Sequence, residues 1–194
     1  MKSIRHVLWS LAVVAPLAAA QQPAAQSSPA SRELRALFDA AWDRDMREDP
    51  IHATYVGDRR FEREWPDSSE AAFKRRHADD AATLEKLRRI DRAALGSEDQ
   101  LSYDLFQRDY EARVGLYPFK PRLYELRTSE GVHTRSDVAE LLPFATAQDY
   151  EAWIARLQSL GRHIDQSTEQ LQVAIREKRT QPKVIMEQIG RAHV

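Results

Sequence analysis

Four acidic side chains that stand close together are the first candidates for chemistry in this sequence. They are Asp43, Asp45, Glu48 and Asp49. Carboxylate oxygens are the ligands that hard divalent cations prefer. Arg44 and Arg47 lie between them, however, and the central glycine of a calcium loop is missing. Because this pattern is typical of a solvated helix face with ion pairs, we predict no metal ligands here.

The histidines offer no metal-binding or catalytic pattern. A zincin site needs two histidines one helical turn apart and an intervening glutamate as general base, so that both imidazoles face the metal. Four histidines instead stand singly: His52, His77, His133 and His163. His77 lies on the apolar stripe of a predicted helix, where a histidine with a buried hydrogen bond is more common than a catalytic base.

Other catalytic signatures are missing from the sequence as well. It has no nucleophile elbow, no phosphate-binding glycine loop and no dinucleotide fingerprint. Trp65 and Asp67 flank a predicted helix start beside an aromatic-rich loop, a position that suits either ligand contact or docking, and docking is favoured. We therefore predict no catalytic, cofactor-binding or metal-binding residue in this chain.

Helices must position all of these residues. Capping signals and apolar periodicity predict helices that begin at Ser31, Asp67, Ser97, Ser136 and Thr146, with a further start over Lys183 to Gln188. Ile51 to Pro66 is predicted to be an ordered loop, and Pro118 to Arg135 a long connection in which a short strand around Leu123 to Leu126 is an alternative. The sequence thus predicts an all-α fold, an antiparallel bundle of about five helices with long irregular connections, as part of a larger helical domain.

The longest predicted helix carries an apolar seam. Its members recur at alternating spacings of three and four residues: Tyr150, Trp153, Leu157, Leu160, Ile164, Leu171 and Ala174. This spacing places them on one narrow face, with Ser167 as a polar interruption. Such a narrow face is typical of a helix packed into a bundle. We expect Trp153, Leu157, Leu160 and Ile164 to expose apolar surface here, because their remaining partners would lie in the missing part of the protein.

Composition and charge exclude several classes of protein. The 194 residues include no cysteine, which excludes disulfides and thiolate metal sites. Removal of Lys2 and Arg5 with a signal peptide reduces the 29 basic residues to 27, against 30 acidic ones, and both signs are interspersed. A nucleic-acid partner is therefore not expected, since it would require a basic patch.

The N-terminal residues are typical of a signal peptide. A basic start precedes an apolar run from Val7 to Leu17 that is too short to span a bilayer. A small-x-small pattern ends at Ala20, which predicts a signal peptide over residues 1–20 and a mature N-terminus at Gln21. Residues 21–30 are predicted to be a flexible leader. We therefore expect a periplasmic or secreted protein with no membrane span after cleavage.

Two stretches of the sequence carry a family resemblance. Glu48 to Ser69 read EDPIHATYVGDRRFEREWPDSS, and Leu142 to Leu160 read LPFATAQDYEAWIARLQSL. The first contains a Pro-x-x-Ala-Thr-x-x-Gly segment, and the second an Asp-Tyr-Glu pattern followed by Arg-Leu. The matching residues are Pro50, Ala53, Thr54, Gly57, Asp149, Tyr150, Glu151, Arg156 and Leu157. Over roughly Arg32 to Gln188, the chain resembles domain-of-unknown-function family 885.

The resemblance implies a helical bacterial protein, exported or cytosolic, that is related to zinc metallopeptidases. Members of this family are much longer, and their expected metal-binding histidines and glutamates lie in a C-terminal half that does not align with this chain. The resemblance therefore implies no cofactor in the residues present here and zinc in a full-length parent that acts on peptides. The missing C-terminal part of the same chain would then be the main partner.

The last residues favour the same interpretation. Ile189 to Val194 read Ile-Gly-Arg-Ala-His-Val, which one frame of a widely used sequencing adapter encodes, so we expect a non-native tail over residues 189–194 after a helical domain over residues 31–188. Two functions are compatible with the sequence. The favoured one is the N-terminal helical portion of an exported metallopeptidase-like hydrolase without its catalytic site, because the helix that starts at Lys183 is unfinished. The alternative is a free-standing periplasmic helical binding module.

Overall fold

Helices provide the secondary structure of the described chain. The structure, a computed structural model, describes residues 28–124, 126, 127 and 130–192. The α-helices are α1 (Pro29–Glu48), α2 (Pro50–Tyr55), α3 (Glu70–Arg89), α4 (Ser97–Leu116), α5 (Ala147–Arg176) and α6 (Lys183–Ala192). Short 3-10 segments occur at Arg59–Phe61, Arg92–Ala94, Tyr117–Phe119, Pro121–Tyr124 and Val132–Leu141. These ranges contain no β-strand, and the predicted all-α fold is confirmed.

Some of the predicted segments lie outside the described residues. These are the signal peptide, residues 21–27 of the leader, and residues 193 and 194. The last helix, α6, extends through residues 189–192 of the predicted tail. No helix in the described ranges combines the length and the apolar character needed to cross a membrane.

The first two helices meet at one aspartate. α1 begins two residues before the predicted start, because the Ser28 side chain accepts a hydrogen bond from the Ser31 backbone N–H. α1 ends at Glu48, and the carboxylate of the next residue, Asp49, accepts a hydrogen bond from the His52 N–H and thereby caps the start of α2. The prediction of a loop from Ile51 was therefore wrong, since a helix of 6 residues is too short to show a 3.6-residue period.

The later helices begin close to their predicted positions. α3 is capped by Ser69, which accepts a hydrogen bond from the Ala72 N–H, and not by Asp67. Gly96 precedes α4 without a side-chain cap. Thr146 caps α5 as predicted, and its partner in a capping box is Asp149.

α1, α3 and α4 form the apolar core. Ser28 contacts Ala94 while Glu48 contacts Arg75, so α1 and α3 are antiparallel. A short connection joins α3 to α4, and these two helices are antiparallel as well: Arg92, just after α3, pairs with Asp104, whereas His77, earlier on α3, stacks on Tyr117 at the end of α4. The buried side chains of this core are Leu34, Ala41, Leu84, Leu87, Ile90, Leu95, Tyr103 and Tyr110. The bundle therefore resembles the predicted architecture, but it excludes the longest helix.

The connection between α4 and α5 forms neither the alternative strand nor the predicted helix. Pro121–Tyr124 form a 3-10 turn in which the Leu123 N–H donates to the Lys120 carbonyl, so the described residues of the range Leu123 to Leu126 do not form a strand. The helix predicted from Ser136 is a 3-10 segment, Val132–Leu141. These tight turns present their side chains to α5, which packs against them rather than against the core of the bundle.

Gly131 is a point in this connection at which a side chain cannot be accommodated. It has a φ of +142°, and an added Cβ would lie 2.9 Å from Nδ1 of His133 and 3.0 Å from Cδ2 of Leu126. Gly131→Ala should therefore lower the free energy of unfolding by about 1–3 kcal/mol, as measured by urea denaturation.

A matched control is available in α5. Gly161 has no neighbouring atom within 4 Å of an added Cβ, so Gly161→Ala should raise the free energy of unfolding by up to about 1 kcal/mol. Equal effects of the two substitutions would contradict the assignment of strain to Gly131.

Candidate functional site

The acidic residues near the end of α1 are bound by arginines. The pairs are Asp43 with Arg47 and Arg60, Asp45 with Arg44 and Arg113, and Glu48 with Arg75 and Arg76. Asp49 instead caps α2. Most of these pairs connect α1 to α3, to α4 or to the Arg59–Phe61 turn. The cluster therefore joins α1 to neighbouring elements. It does more than provide the solvated helix face that the sequence predicted.

These carboxylates are not arranged for metal binding. Among the described residues, no group of three or more histidine, cysteine, aspartate or glutamate side chains could hold a metal ion. The carboxylates already neutralise guanidinium groups, which compete with a cation for the same oxygens. His52 is exposed on α2, whereas His163 is buried in α5. The resemblance assigns zinc to a full-length parent, and that expectation stays a prediction.

The two stretches that carry the family resemblance contact each other through Arg156. Its side chain is completely buried in α5. It donates hydrogen bonds to the Phe61 carbonyl at 2.9 Å, the Thr54 hydroxyl at 3.2 Å and the Pro50 carbonyl at 3.4 Å. Burial lowers the pKa of Arg156, and the nearby charges of Glu62 and Glu64 oppose this shift. Arg156 therefore holds α2 and the following turn against α5.

Asp149 forms a second link at the start of α5. Its carboxylate accepts hydrogen bonds from the backbone N–H groups of Ala145 and Thr146, and it pairs with Arg59. The hydrogen bond from Arg59 and these backbone donors lower the pKa of Asp149 to about 2. Asp149 is therefore charged at neutral pH and ties the capping box to the Arg59–Phe61 turn.

His163 is the third buried polar group of α5. Its Nδ1 donates to the Pro66 carbonyl at 3.1 Å, and its Nε2 accepts from Nε of Arg135 at 3.0 Å. The ring stacks on Trp65 with a centroid separation of 5.6 Å. Burial, and then the charge of Arg135, lower the pKa of His163 to about 4. This histidine is therefore a neutral structural residue at pH 7.

Trp65 and Asp67 both contact α5. The indole Nε1 of Trp65 donates to the Arg156 carbonyl at 2.7 Å. The Asp67 carboxylate accepts from the Gln166 side chain at 2.9 Å. Both side chains are thus used in contacts within this chain, and domain docking through this region stays a prediction.

The buried face of α5 is consequently polar. It comprises Asp149, Ala152, Arg156, His163, Ser167, Gln170 and Ala174. Large parts of the predicted apolar seam lie elsewhere: Tyr150 is 53% exposed, Leu157 44% and Ile164 40%. The exposure expected for Leu157 and Ile164 is observed, while Ala174 is buried and Trp153, Leu160 and Leu171 are partly buried. Periodicity identified an apolar face but could not show that hydrogen bonds to the loops turn it towards solvent.

A cavity of about 850 Å³ lies between α3, the end of α4 and the connection that follows it. One wall consists of five stacked side chains, in the order Arg76, Phe73, Arg122, Tyr117 and His77, which we call the stacked wall. The guanidinium carbons of Arg76 and Arg122 lie 4.6 and 5.3 Å from the centre of the Phe73 ring. A volume of this size is typical of pockets for small ligands.

The contacts between α5 and the segment that begins at α2 lie in a part of the chain that matches a known family. The profile of the family described as "Bacterial protein of unknown function (DUF885)" matches residues 50–192. The chain belongs to the DUF885 family. The match begins at Pro50, so it leaves out the part of α1 that the expected range from Arg32 included. No curated protein and no solved structure matches the chain.

Sequence reasoning missed the stacked wall of this DUF885 protein. Phe73, Arg76 and His77 follow the i, i+3, i+4 spacing of one helix face. The position of Arg76 beside Phe73 on this face could therefore have indicated their contact from the sequence. The positions of Tyr117 and Arg122 depend on two successive 3-10 turns, which are too short to show a periodic pattern of apolar residues.

Proposed function

We propose that this DUF885 chain is a non-catalytic helical portion of an exported metallopeptidase-like hydrolase, and that α5 docks it onto the rest of that protein. The observation that carries the proposal is the apolar face of α5. Tyr150, Ile154, Leu157 and Ile164 recur at helical spacing and are 40–53% exposed. Monomeric proteins rarely leave such a continuous apolar surface uncovered.

The opposite side of α5 explains why this face is available. The buried residues of the helix already form hydrogen bonds to the loops, as Arg156 does to Phe61 and Asp149 to Ala145. Since these bonds fix the rotation of the helix, its apolar face cannot turn inwards without leaving buried polar groups unpaired. Docking of another segment is the remaining way to remove this face from water.

A helical partner fits this surface best. α5 has 30 residues and is about 45 Å long, so it offers a row of side chains into which a second helix can pack. α6 follows and also exposes apolar side chains, with Val184 57% and Met186 44% exposed. Two successive helices thus present surface of the kind that a larger helical protein buries.

The chemical part of the proposal rests on the resemblance of the two stretches around Pro50 and Arg156. A zinc-activated water would supply the nucleophile for peptide hydrolysis in such an enzyme. Export is supported by the basic start and the short apolar run within residues 1–20. The described residues contribute docking and support.

The docking face can be tested with two neighbouring substitutions. Leu157→Glu places a charge on the apolar face, whereas Gln158→Glu adds the same charge at an exposed position beside it. In the protein produced from its natural gene, Leu157→Glu should reduce chelator-sensitive hydrolysis of a short-peptide mixture by more than about 100-fold, because a buried charge prevents docking. Gln158→Glu should retain the activity.

Two outcomes would contradict the proposal. Full activity of both variants would show that α5 does not dock through this face. If the natural gene product shows no chelator-sensitive hydrolysis, the proposed hydrolase function is contradicted. The free-standing periplasmic binding module is then the better account.

A further inference from the structure

We propose that the outer face of α4 is a dimer interface, at which two copies of this chain pack their α4 helices side by side and antiparallel. This inference goes beyond the proposed function, which concerns α5. α4 belongs to the bundle with α1 and α3, whereas α5 packs against the connection that follows α4. The outer face is the side of α4 opposite the core, and it comprises Leu101, Leu105, Arg108, Ala112 and Leu116.

α4 is apolar on two opposite sides. On its inner side, Tyr103 and Tyr110 are buried, and Phe106 and Val114 pack against the same core. The residues of the outer face recur at spacings of three and four, so they form one stripe that is about 22 Å long. A helix that is apolar on both sides is typically covered on both sides.

The outer face is exposed in the part of the chain that the structure describes. Leu101 and Leu105 are each 60% exposed, and Leu116 is 53% exposed. Leucine is among the residues that are most often buried, and monomeric proteins rarely expose several such side chains in one continuous row. The face therefore has the composition of a surface that another molecule covers.

The charges of α4 indicate what kind of molecule this is. On the flank towards α1, Arg113 pairs with Asp45, and on the flank towards α3, Glu111 pairs with Arg88. Arg108, in contrast, lies within the outer face and forms no ion pair with another described residue. Because a charge that becomes buried needs a partner of opposite sign, the covering molecule should combine apolar side chains with a carboxylate beside them.

A second copy of α4 meets both requirements. Since α4 runs from Ser97 to Leu116, complete overlap of two antiparallel copies places Leu101 opposite Ala112 of the partner subunit. A large side chain then faces a small one, which allows close packing of the two helices.

The same overlap provides the carboxylate for Arg108. Asp104 and Arg108 are one helical turn apart on the same side of the outer face, and equal sides meet in an antiparallel pair with two-fold symmetry. Arg108 therefore lies beside Asp104 of the partner subunit. The Asp104 side chain is 48% exposed although it pairs with Arg92, so its oxygens can accept a further hydrogen bond.

We expect the dimer to be in equilibrium with the monomer. One pair of helices buries less than the roughly 800 Å² per partner that is typical of a stable interface. Sedimentation velocity over about 1–500 μM protein should show the mass rise from one chain to two, with a dissociation constant of about 1–100 μM.

Leu101→Glu and Leu105→Glu should each weaken self-association by at least about 10-fold, because each places a charge inside the interface. Both side chains are exposed, so the variants should fold, and melting curves establish that they do. The matched control is Leu157→Glu, which adds the same charge to the exposed apolar face of α5. This variant should leave self-association unchanged.

Exchange of two charges separates the ion pair from a general effect of charge. Arg108→Glu should weaken self-association, because two carboxylates then meet across the interface. Adding Asp104→Arg to the same chain should restore the association, since the pair is re-formed with its charges exchanged. Failure of the exchange to restore the association would contradict the antiparallel pairing.

The orientation can be tested by cross-linking, because the sequence contains no cysteine. A mixture of the variants Leu101→Cys and Ala112→Cys should form cross-linked dimers with a thiol reagent that spans about 8 Å, since neighbouring helix axes are 8–10 Å apart. Neither variant should cross-link by itself, because equal positions are separated by about 16 Å along the helix axis.

Three results would overturn the proposal. The first is a monomer at about 500 μM protein. The second is loss of self-association in Leu157→Glu but not in Leu105→Glu, which would assign the association to α5. The third is a monomeric protein from the natural gene at concentrations where this chain dimerises, which would show that another part of the parent covers α4. The docking test of α5 measures hydrolysis, so its failure leaves these results unaffected.

Discussion

Replacement of Arg156 by alanine should lower the free energy of unfolding by about 3–4 kcal/mol. The side chain is completely buried, and its removal leaves the partly buried Phe61 carbonyl without its donor. The charged hydrogen bonds to the Thr54 hydroxyl oxygen are lost at the same time. Urea denaturation followed by tryptophan fluorescence would measure the change, and Trp65 contacts Arg156 directly.

The same helix supplies a control for this experiment. Arg162 is 76% exposed, so Arg162→Ala should change the free energy of unfolding by less than about 0.5 kcal/mol. Arg156→Lys should be less harmful than Arg156→Ala, because one charged donor remains. If Arg156→Ala and Arg162→Ala proved equally stable, the buried hydrogen bonds would not be what joins α5 to α2.

Acidification should destabilise the protein through His163. Its pKa is lowered in the folded state from 6.5 to about 4, so the folded protein binds this proton less readily than the unfolded chain does. The contribution of neutral His163 to the free energy of unfolding is fully present above pH 6.5. This contribution is lost as the pH falls towards 4. Between pH 7 and pH 4.5, the expected loss from this residue is about 2–3 kcal/mol.

The variant His163→Gln should lack this component of the pH dependence. Denaturation curves at pH 7 and pH 4.5 would give the difference for each protein. His52→Gln, at an exposed position on α2, should retain the full difference. Asp149 acts in a lower window, because its stabilising charge is lost only as the pH falls from 3.8 to about 2. An unchanged pH dependence in His163→Gln would contradict the role of the buried imidazole.

The helices of the bundle were accessible from sequence because their signals are local. Apolar residues such as Leu84 and Leu87 on α3 follow the helical period and do form the core, and Thr146 caps α5 where the pattern indicates. The short helix α2 was missed, since its start depends on the Asp49 side chain and it ends before a period can be seen.

The polar layer beneath α5 could not be predicted from periodicity. Arginine and histidine side chains are polar and usually lie at the surface. Arg156 and His163 can be buried because they form hydrogen bonds with the carbonyls of Phe61 and Pro66, which are distant in sequence. The rotation of α5, and with it the exposure of Leu157, follows from these pairings. A sequence pattern indicates which residues share a helix face. It does not identify the partners of that face, which for α5 lie about a hundred positions earlier in the chain.

That separation has a consequence for how the chain is assembled. The hydrogen bonds from Arg156 to Thr54 span 102 residues, whereas the α3–α4 pair of Arg88 and Glu111 spans 23. Closing the longer loop costs more chain entropy, and each of its contacts becomes favourable only after that cost has been met. The molecule thus combines a hairpin of low contact order with one helix joined by contacts of high contact order. We therefore expect the slow folding step to be the packing of α5 against α2 and the Arg59–Phe61 turn.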